Sequence, residues 1–371
     1  MDFPKRTWAE INLSALAANI NEISRLSPGK EIIAVVKANA YGHGDDIICP
    51  ELTRLGVSLF AVSSVEEALR VKRYAPDGDV LIFGFAERAY LNVAAENNFI
   101  LTAGDAEYAK ALSAFAVTEN KKVRVHIKLN TGMNRVGINT GRELDEILRL
   151  PGLRCEAVYT HFASADSLDK DDIDFTRRQQ EKLLALSKGK GLKIHSQNSG
   201  GVLFHSDAEA DFVRAGLILY GYLPDARLAS PVKLSPVMSL KSVICQIRSL
   251  NVGDTVSYGR TYMAPGSRTA AVVPVGYADG YTRLHSNSGV VAVKGILCPV
   301  LGRVCMDQII IDVSEVNGVR VGDEIEIYSS AHKETSIEYI AEKLGTIPYE
   351  ITCSVSGRVR RVPTSPEAAL R

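Results

Sequence analysis

The chain of 371 residues exceeds what one hydrophobic core usually serves, so two domains are expected. Lysine plus arginine and aspartate plus glutamate number 43 each, a balance that makes no electrostatic case for nucleic acid or an anionic membrane as partner. The six cysteines form no CxxC or metal-ligand spacing, the first residues carry no apolar leader, and no apolar run is long enough to span a bilayer; a reduced, cytoplasmic protein without a metal is expected.

The opening "RTWAEINLSAL" reads as a strand followed by a helix and suits either domain. Short β-branched runs then alternate with amphipathic segments of helical length. The runs are "IIAVV" (32–36), "LFAVSS" (59–64), "VLIFGF" (80–85), "FILTA" (99–103), "VRVHIKL" (123–129), "CEAVYTHF" (155–162), "KIHSQNS" (193–199) and "DFVRAG" (211–216). Strands separated by helices argue for βαβ units and a parallel sheet. Eight such units close a (β/α)8 TIM-type barrel, placed over residues 8–232. A doubly wound open sheet is the alternative, but the Gly-rich turn after its first strand is missing. Near residues 228–236 the texture changes. "SVICQIRSL", "RTAAVVPVGYADG", "SGVVAVKGILCPVLGRVC", "QIIIDV" and "DEIEIYSS" follow one another with turn signals and one late helix, "SIEYIAEKLG". Residues 233–371 are therefore a mainly β domain, with which residues 1–7 are expected to pack.

In such a barrel the active site lies at the C-terminal strand ends. Lys37 ends the first strand, Lys128 and Arg135 follow the fifth, and His161 ends the sixth. Asn198 and Ser199 end the seventh, Arg214 and Gly216 the eighth. Singly, each has an ordinary structural role: a solvated cap, a satisfied core histidine, a buried ion pair. Together they converge on one mouth.

"AVVKANAYGHG", "KLNTGMNRVG", "YTHFASAD", "NSGG", "VRAGLILYG", "VSYGRTY", "PVGYADGYTR" and "GRVCMDQ" stand in an order and spacing that resembles the bacterial alanine racemases, from about residue 7 to 361. The resemblance implies pyridoxal phosphate carried on Lys37, with the phosphate near Tyr41, Ser199, Gly216 and Leu217. It implies Arg214 at the pyridine nitrogen, which a guanidinium leaves unprotonated, with His161 and Asn198 beside it. It implies two bases, Lys37 and Tyr258, the second donated by the other subunit of a homodimer. Arg135, Met306, Tyr277 and Asp307 would meet the substrate, and Lys128 would be the family's carbamylated lysine. The lowered lysine pKa that this chemistry requires would come from desolvation and from Arg135 and Arg214. Tyr258 would be acidified by Arg135 and by a His161–Arg214 hydrogen-bond chain. The implied product is D-alanine, suited to peptidoglycan.

One segment departs from the resemblance. "YEITCSVSGRVRR" has Gly357 where a phosphate-touching tyrosine is expected, which implies a wider pocket and measurable use of serine. A serine or broad-specificity racemase is thus an alternative. So is a non-catalytic pyridoxal-phosphate-binding barrel, although such a protein would lack the second domain and Tyr258. A decarboxylase is disfavoured because it pairs the pyridine nitrogen with an acid rather than with Arg214.

Overall fold

The computed structural model describes residues 6–224 and 232–364, so residues 228–231 of the expected domain boundary lie outside the described residues. The chain opens with β1 (Thr7–Asn12) and a helix, Leu13–Leu26. Asn12 caps that helix by accepting from the Ala15 N–H at 3.0 Å. Its inward stripe is Ala15, Leu16, Asn19, Ile20 and Ile23, the recurrence that a 3.6-residue period demands. Buried Asn19 is satisfied by the carbonyls of Leu219 and Ser235, at 3.0 and 2.8 Å.

Eight parallel strands then close a barrel: β2 (Glu31–Val35), β3 (Leu59–Val62), β4 (Asp79–Ile82), β5 (Ile100–Ala103), β6 (Val123–Lys128), β7 (Leu153–Tyr159), β8 (Lys193–His195) and β9 (Phe212–Ala215). β9 pairs back onto β2, Phe212 to Glu31 through Ala215 to Ala34, and leaves no free edge. Each apolar run read from the sequence overlaps one of these strands. They are largely apolar because both faces are covered, one by the barrel interior and one by helices.

The second domain is built on a six-stranded sheet and a three-stranded one. β1 lies inside the larger sheet, antiparallel to Met238–Val243 and parallel to Arg360–Thr364. The barrel expected from residue 8 therefore begins only after β1, which the β-domain claims. Both chain ends are thereby laced into one sheet, and the segment Pro348–Ser354 is carried back over the barrel mouth. The described residues contain no helix long and apolar enough to cross a membrane.

Candidate active site

The mouth of the barrel holds a cavity of about 430 Å³. Lys37, Tyr41, Lys128, Arg135, His161, Asn198, Ser199, Arg214 and Gly216 all line it, so the expected strand-tip residues do converge. Leu217 is buried immediately behind Gly216.

Lys37 sits at the end of β2 because the strand stops there abruptly. Ala38, Asn39, Ala40 and Tyr41 all have φ between 52° and 55°, one turn of left-handed helix built without glycine. Each such residue costs roughly 1–2 kcal/mol, so the surroundings must hold the turn in place. His43 does much of that holding. Fully buried, it donates from Nδ1 toward the carbonyls of Ala40 and Tyr41, each at 3.0 Å, and stacks on Tyr220 at 4.3 Å. Burial drives its pKa down to about 3, so it is a neutral structural clamp. Gly42, at φ 83°, could not be another residue: a Cβ there would lie 2.1 Å from the Thr352 carbonyl oxygen. Arg361 completes the lock by donating to the Gly42 carbonyl at 2.9 Å.

The Lys37 amine has its pKa lowered chiefly by burial and next by Arg135, while Glu67 and Cys353 oppose the change. Of the two arginines expected to act on it, only Arg135 does. Arg214 presses instead on Lys128, His161 and His195. Lys128 lies 5.5 Å from the Tyr159 ring centroid, and burial followed by Arg135 brings its pKa down to about 8.

Arg214 is 2 % exposed and has no carboxylate partner among its described contacts. Its Nη2 donates to the carbonyls of Thr160 and Ser196, at 2.8 and 2.7 Å, and its Nη1 to His195 Nδ1 at 2.9 Å. Both Nη2 protons are thereby used, and His161 Nδ1 at 3.3 Å is a neighbour rather than a strong acceptor. The expected His161–Arg214 chain is thus the weaker one. The well-formed chain runs from Arg214 to His195 and on to His126, whose Nδ1 lies 3.0 Å from His195 Nε2. Since His195 accepts at Nδ1, its proton resides on Nε2 and is donated to His126. Burial lowers the Arg214 pKa to about 10, which still leaves it cationic at neutral pH. Neither histidine was singled out from sequence, though both lie on barrel strands, in "VRVHIKL" and "KIHSQNS".

On the opposite wall three hydroxyls gather. Ser199 Oγ accepts from the Gly216 N–H at 3.3 Å, and the Ser199 hydroxyl acts on the Tyr349 phenol, easing its rise in pKa. The Tyr349 ring packs 5.4 Å from that of Tyr41. Any Cβ on Gly216 would approach the Tyr41 hydroxyl to 2.9 Å, so glycine keeps that corner open. Burial raises both phenols, Tyr349 to about 12, and keeps them as O–H donors at neutral pH. Three hydroxyls beside a backbone N–H suit an oxyanion such as a phosphate.

Gly357 and Tyr349, eight residues apart, stand differently to this cavity. Gly357 has nothing within 4 Å of where its Cβ would stand and does not line the cavity. Tyr349, in the "YE" of "YEITC" at the start of the helix that returns over the mouth, does line it.

Tyr258, Tyr277, Met306 and Asp307 stand elsewhere. Tyr258 is 69 % exposed, Met306 52 % and Tyr277 40 %, and none lines the cavity. Asp307 is exposed and pairs with Arg358 at 2.8 Å. Their loops are tied together: the N–H groups of Tyr277 and Ala278 donate to the carbonyls of Cys305 and Met306, and Ser257 Oγ to that of Arg303. The result is one exposed, partly aromatic patch on the β-domain.

Comparison with known proteins decides what this pairing of cavity and patch belongs to. The family described as alanine racemase, N-terminal domain, matches residues 11–224, and alanine racemase, C-terminal domain, matches residues 237–363. The chain belongs to the alanine racemase family. It is 39 % identical to "Alanine racemase 2" of Caldanaerobacter subterraneus over 96 % of this chain and 94 % of that protein, and 39 % identical with the same coverage to the alanine racemase of Clostridium tetani. The solved alanine racemase of Clostridium difficile superposes with a TM-score of 0.92 at 33 % identity, covering 98 % of this chain and 97 % of that one. That of Bartonella henselae, described with covalently bound pyridoxal phosphate, superposes at 0.88 with 28 % identity, covering 97 % and 100 %. The family depends on pyridoxal phosphate, and the residues here fit that group. A half-buried lysine of lowered pKa, an arginine without a carboxylate among its described contacts and a hydroxyl-lined corner surround one cavity.

Proposed function

We propose that the chain interconverts L- and D-alanine, as a homodimer in which each site is completed by the other copy. The carrying observation is the split just described. One proton-transfer lysine lies in the cavity, while the candidate for the other face of the substrate, Tyr258, is 69 % exposed and does not line that cavity. Racemisation needs a base on each side of Cα, and a two-fold dimer brings the same patch to both mouths.

Lys37 would hold pyridoxal phosphate, with Tyr41, Ser199, Tyr349 and the N–H of Gly216 at its phosphate and Arg214 at its ring nitrogen. Bound there, the group supplies an electron sink that labilises the Cα–H bond of an attached amino acid. Once free, the Lys37 amine, its pKa lowered by burial and Arg135, takes that proton on one face. Tyr258 of the partner copy returns one on the other, and the roles reverse for the opposite enantiomer. Arg214 remains charged and anchored, so no proton passes from it to the ring. Arg135, with Met306, Tyr277 and Asp307 of the partner copy, would meet the substrate. The lowered Lys128 pKa leaves an amine able to add CO₂, losing one proton, and the new carbamate would pair with Arg135. The balanced surface charge and free cysteines suit a cytoplasmic enzyme supplying D-alanine to the cell wall.

The test is complementation. Lys37→Ala and Tyr258→Phe each abolish racemisation alone. Unfolded together and refolded, they regain activity toward roughly a quarter of the sites, the share random pairing leaves intact. If no activity returns although mixed dimers form, the shared-site reading fails.

A further inference from the structure

We propose that Glu67 is a positioning residue for the Lys37 amine, one carboxylate fastening the end of β2 to the end of β3. The proposal rests on the reading that Lys37 is the reactive amine. Glu67 Oε1 accepts from the Ala38 N–H at 2.7 Å, and Oε2 from the Ser63 N–H at 2.8 Å. Ala38 is the first residue of the left-handed turn and the immediate neighbour of Lys37. Ser63 directly follows β3. Both donors therefore sit where a parallel ladder stops, and one anion takes both.

The placement of Glu67 is itself prescribed. It lies in the first turn of the helix Val65–Tyr74, where Ser64 Oγ accepts from the Glu67 N–H at 3.3 Å. One turn on, Arg70 donates to Asp45 Oδ2 at 2.8 Å. Asp45 opens the helix after the loop, and its N–H donates to Asn39 Oδ1 at 2.9 Å. Residues three apart share a helix face. A single helix thus grips the Lys37–Gly44 segment at both ends, by an anion at Ala38 and a cation at Asp45. His43 clamps the middle of that segment, but only Glu67 reaches the peptide next to Lys37. Its charge also faces the amine and works against the effect of Arg135 there.

Glu67→Gln keeps the size and removes the charge. Its single acceptor can serve Ala38 or Ser63, while its NH₂ must face the other donor. In the holoenzyme the expected results are a kcat for alanine lowered about tenfold, a KM that changes less, and a low-pH limb of kcat/KM displaced to lower pH. On cofactor-free protein, mass-spectrometric acetylation of Lys37 at neutral pH should be faster in Glu67→Gln, since the opposing anion is gone. Glu67→Asp, one methylene short but still charged, should return the pH limb toward wild type while the rate stays low, and it carries the test if Glu67→Gln does not fold. A loss of thermal stability with the limb and the acetylation rate both unmoved would overturn the proposal. Failure of wild-type Lys37 to take up pyridoxal phosphate would instead defeat the functional reading.

Discussion

At the barrel mouth Arg214 is 2 % exposed and gives its protons to a histidine and two carbonyls, whereas on the β-domain Tyr258 is 69 % exposed, on a loop fastened through Ser257. The mouth is a site whose groups are held by burial and paid for in desolvation. The patch is held by backbone bonds between loops and presents its side chains outward. Function and stability should therefore separate along this divide: substitutions in the mouth disturb both, and substitutions in the patch disturb activity alone.

The sharpest test of that divide is Tyr258→Phe. Losing one proton-transfer group should lower racemisation on the order of 10³-fold, while the urea midpoint and the visible absorbance of bound cofactor stay as in wild type. A parallel loss of fold stability would mean that the patch is structural. Arg214→Ala should behave in the opposite manner. It strands His195 Nδ1 and the carbonyls of Thr160 and Ser196 in a buried setting, for a loss of about 3 kcal/mol after water enters the gap. Chemical denaturation measures it, and an unchanged midpoint would show that Arg214 is not the anchor its contacts describe.

A third expected effect concerns pH and belongs to the buried half alone. His43 and His126 are brought to about 3 and His285 to about 4, in each case chiefly by burial. In the unfolded chain these imidazoles titrate near the ordinary value of about 6.5. Their folded pKa values are depressed, so below that point the unfolded state binds more protons and is favoured. Stability is fully present above pH ~6.5 and should fall on acidification by about 1.4 kcal/mol per pH unit for each such histidine. Urea midpoints at pH 7, 6 and 5 give the slope. His43→Phe, which keeps a ring against Tyr220 but has no titratable group, should flatten it while lowering the midpoint at pH 7 by the lost bonds to Ala40 and Tyr41. A slope unaltered by that substitution would remove His43 from the account.

What could be read from sequence follows the same divide. Barrel strands were legible because burial on both faces demands unbroken β-branched runs, and strand tips were legible because barrel topology sends them to one mouth. β1 was ambiguous: a strand-then-helix pattern does not say which sheet takes the strand, and pairing with residues more than 200 positions away settled it. The left-handed turn at 38–41 left no trace, since alanine, asparagine and tyrosine advertise no positive φ. Glu67, His126 and His195 carry no signal of their own in the sequence. Their roles depend on which strand ends become neighbours in space. For Tyr258, Tyr277 and Met306 the motifs named the residues and the resemblance assigned Tyr258 to the other subunit's site; in the fold all three are exposed and outside the cavity of their own chain.

The smallest expected effect contrasts two C-terminal positions. Tyr349→Phe leaves the ring against Tyr41 and removes the hydroxyl that shares the cavity wall with Ser199. One hydrogen bond to a charged group contributes about 1.5 kcal/mol, so affinity for pyridoxal phosphate, measured by absorbance titration of cofactor-free protein, should weaken about tenfold. Gly357→Tyr restores the residue that the sequence motif led one to expect, yet its Cβ would stand in open space and position 357 does not line the cavity. It should leave both cofactor affinity and the ratio of serine to alanine turnover unchanged. Were Gly357→Tyr to narrow that ratio while Tyr349→Phe did nothing, the entrance would be set at position 357 and not by the returning helix. The reverse outcome is expected because a side chain restricts a pocket only from the wall it occupies, and Tyr349 is the one that occupies it.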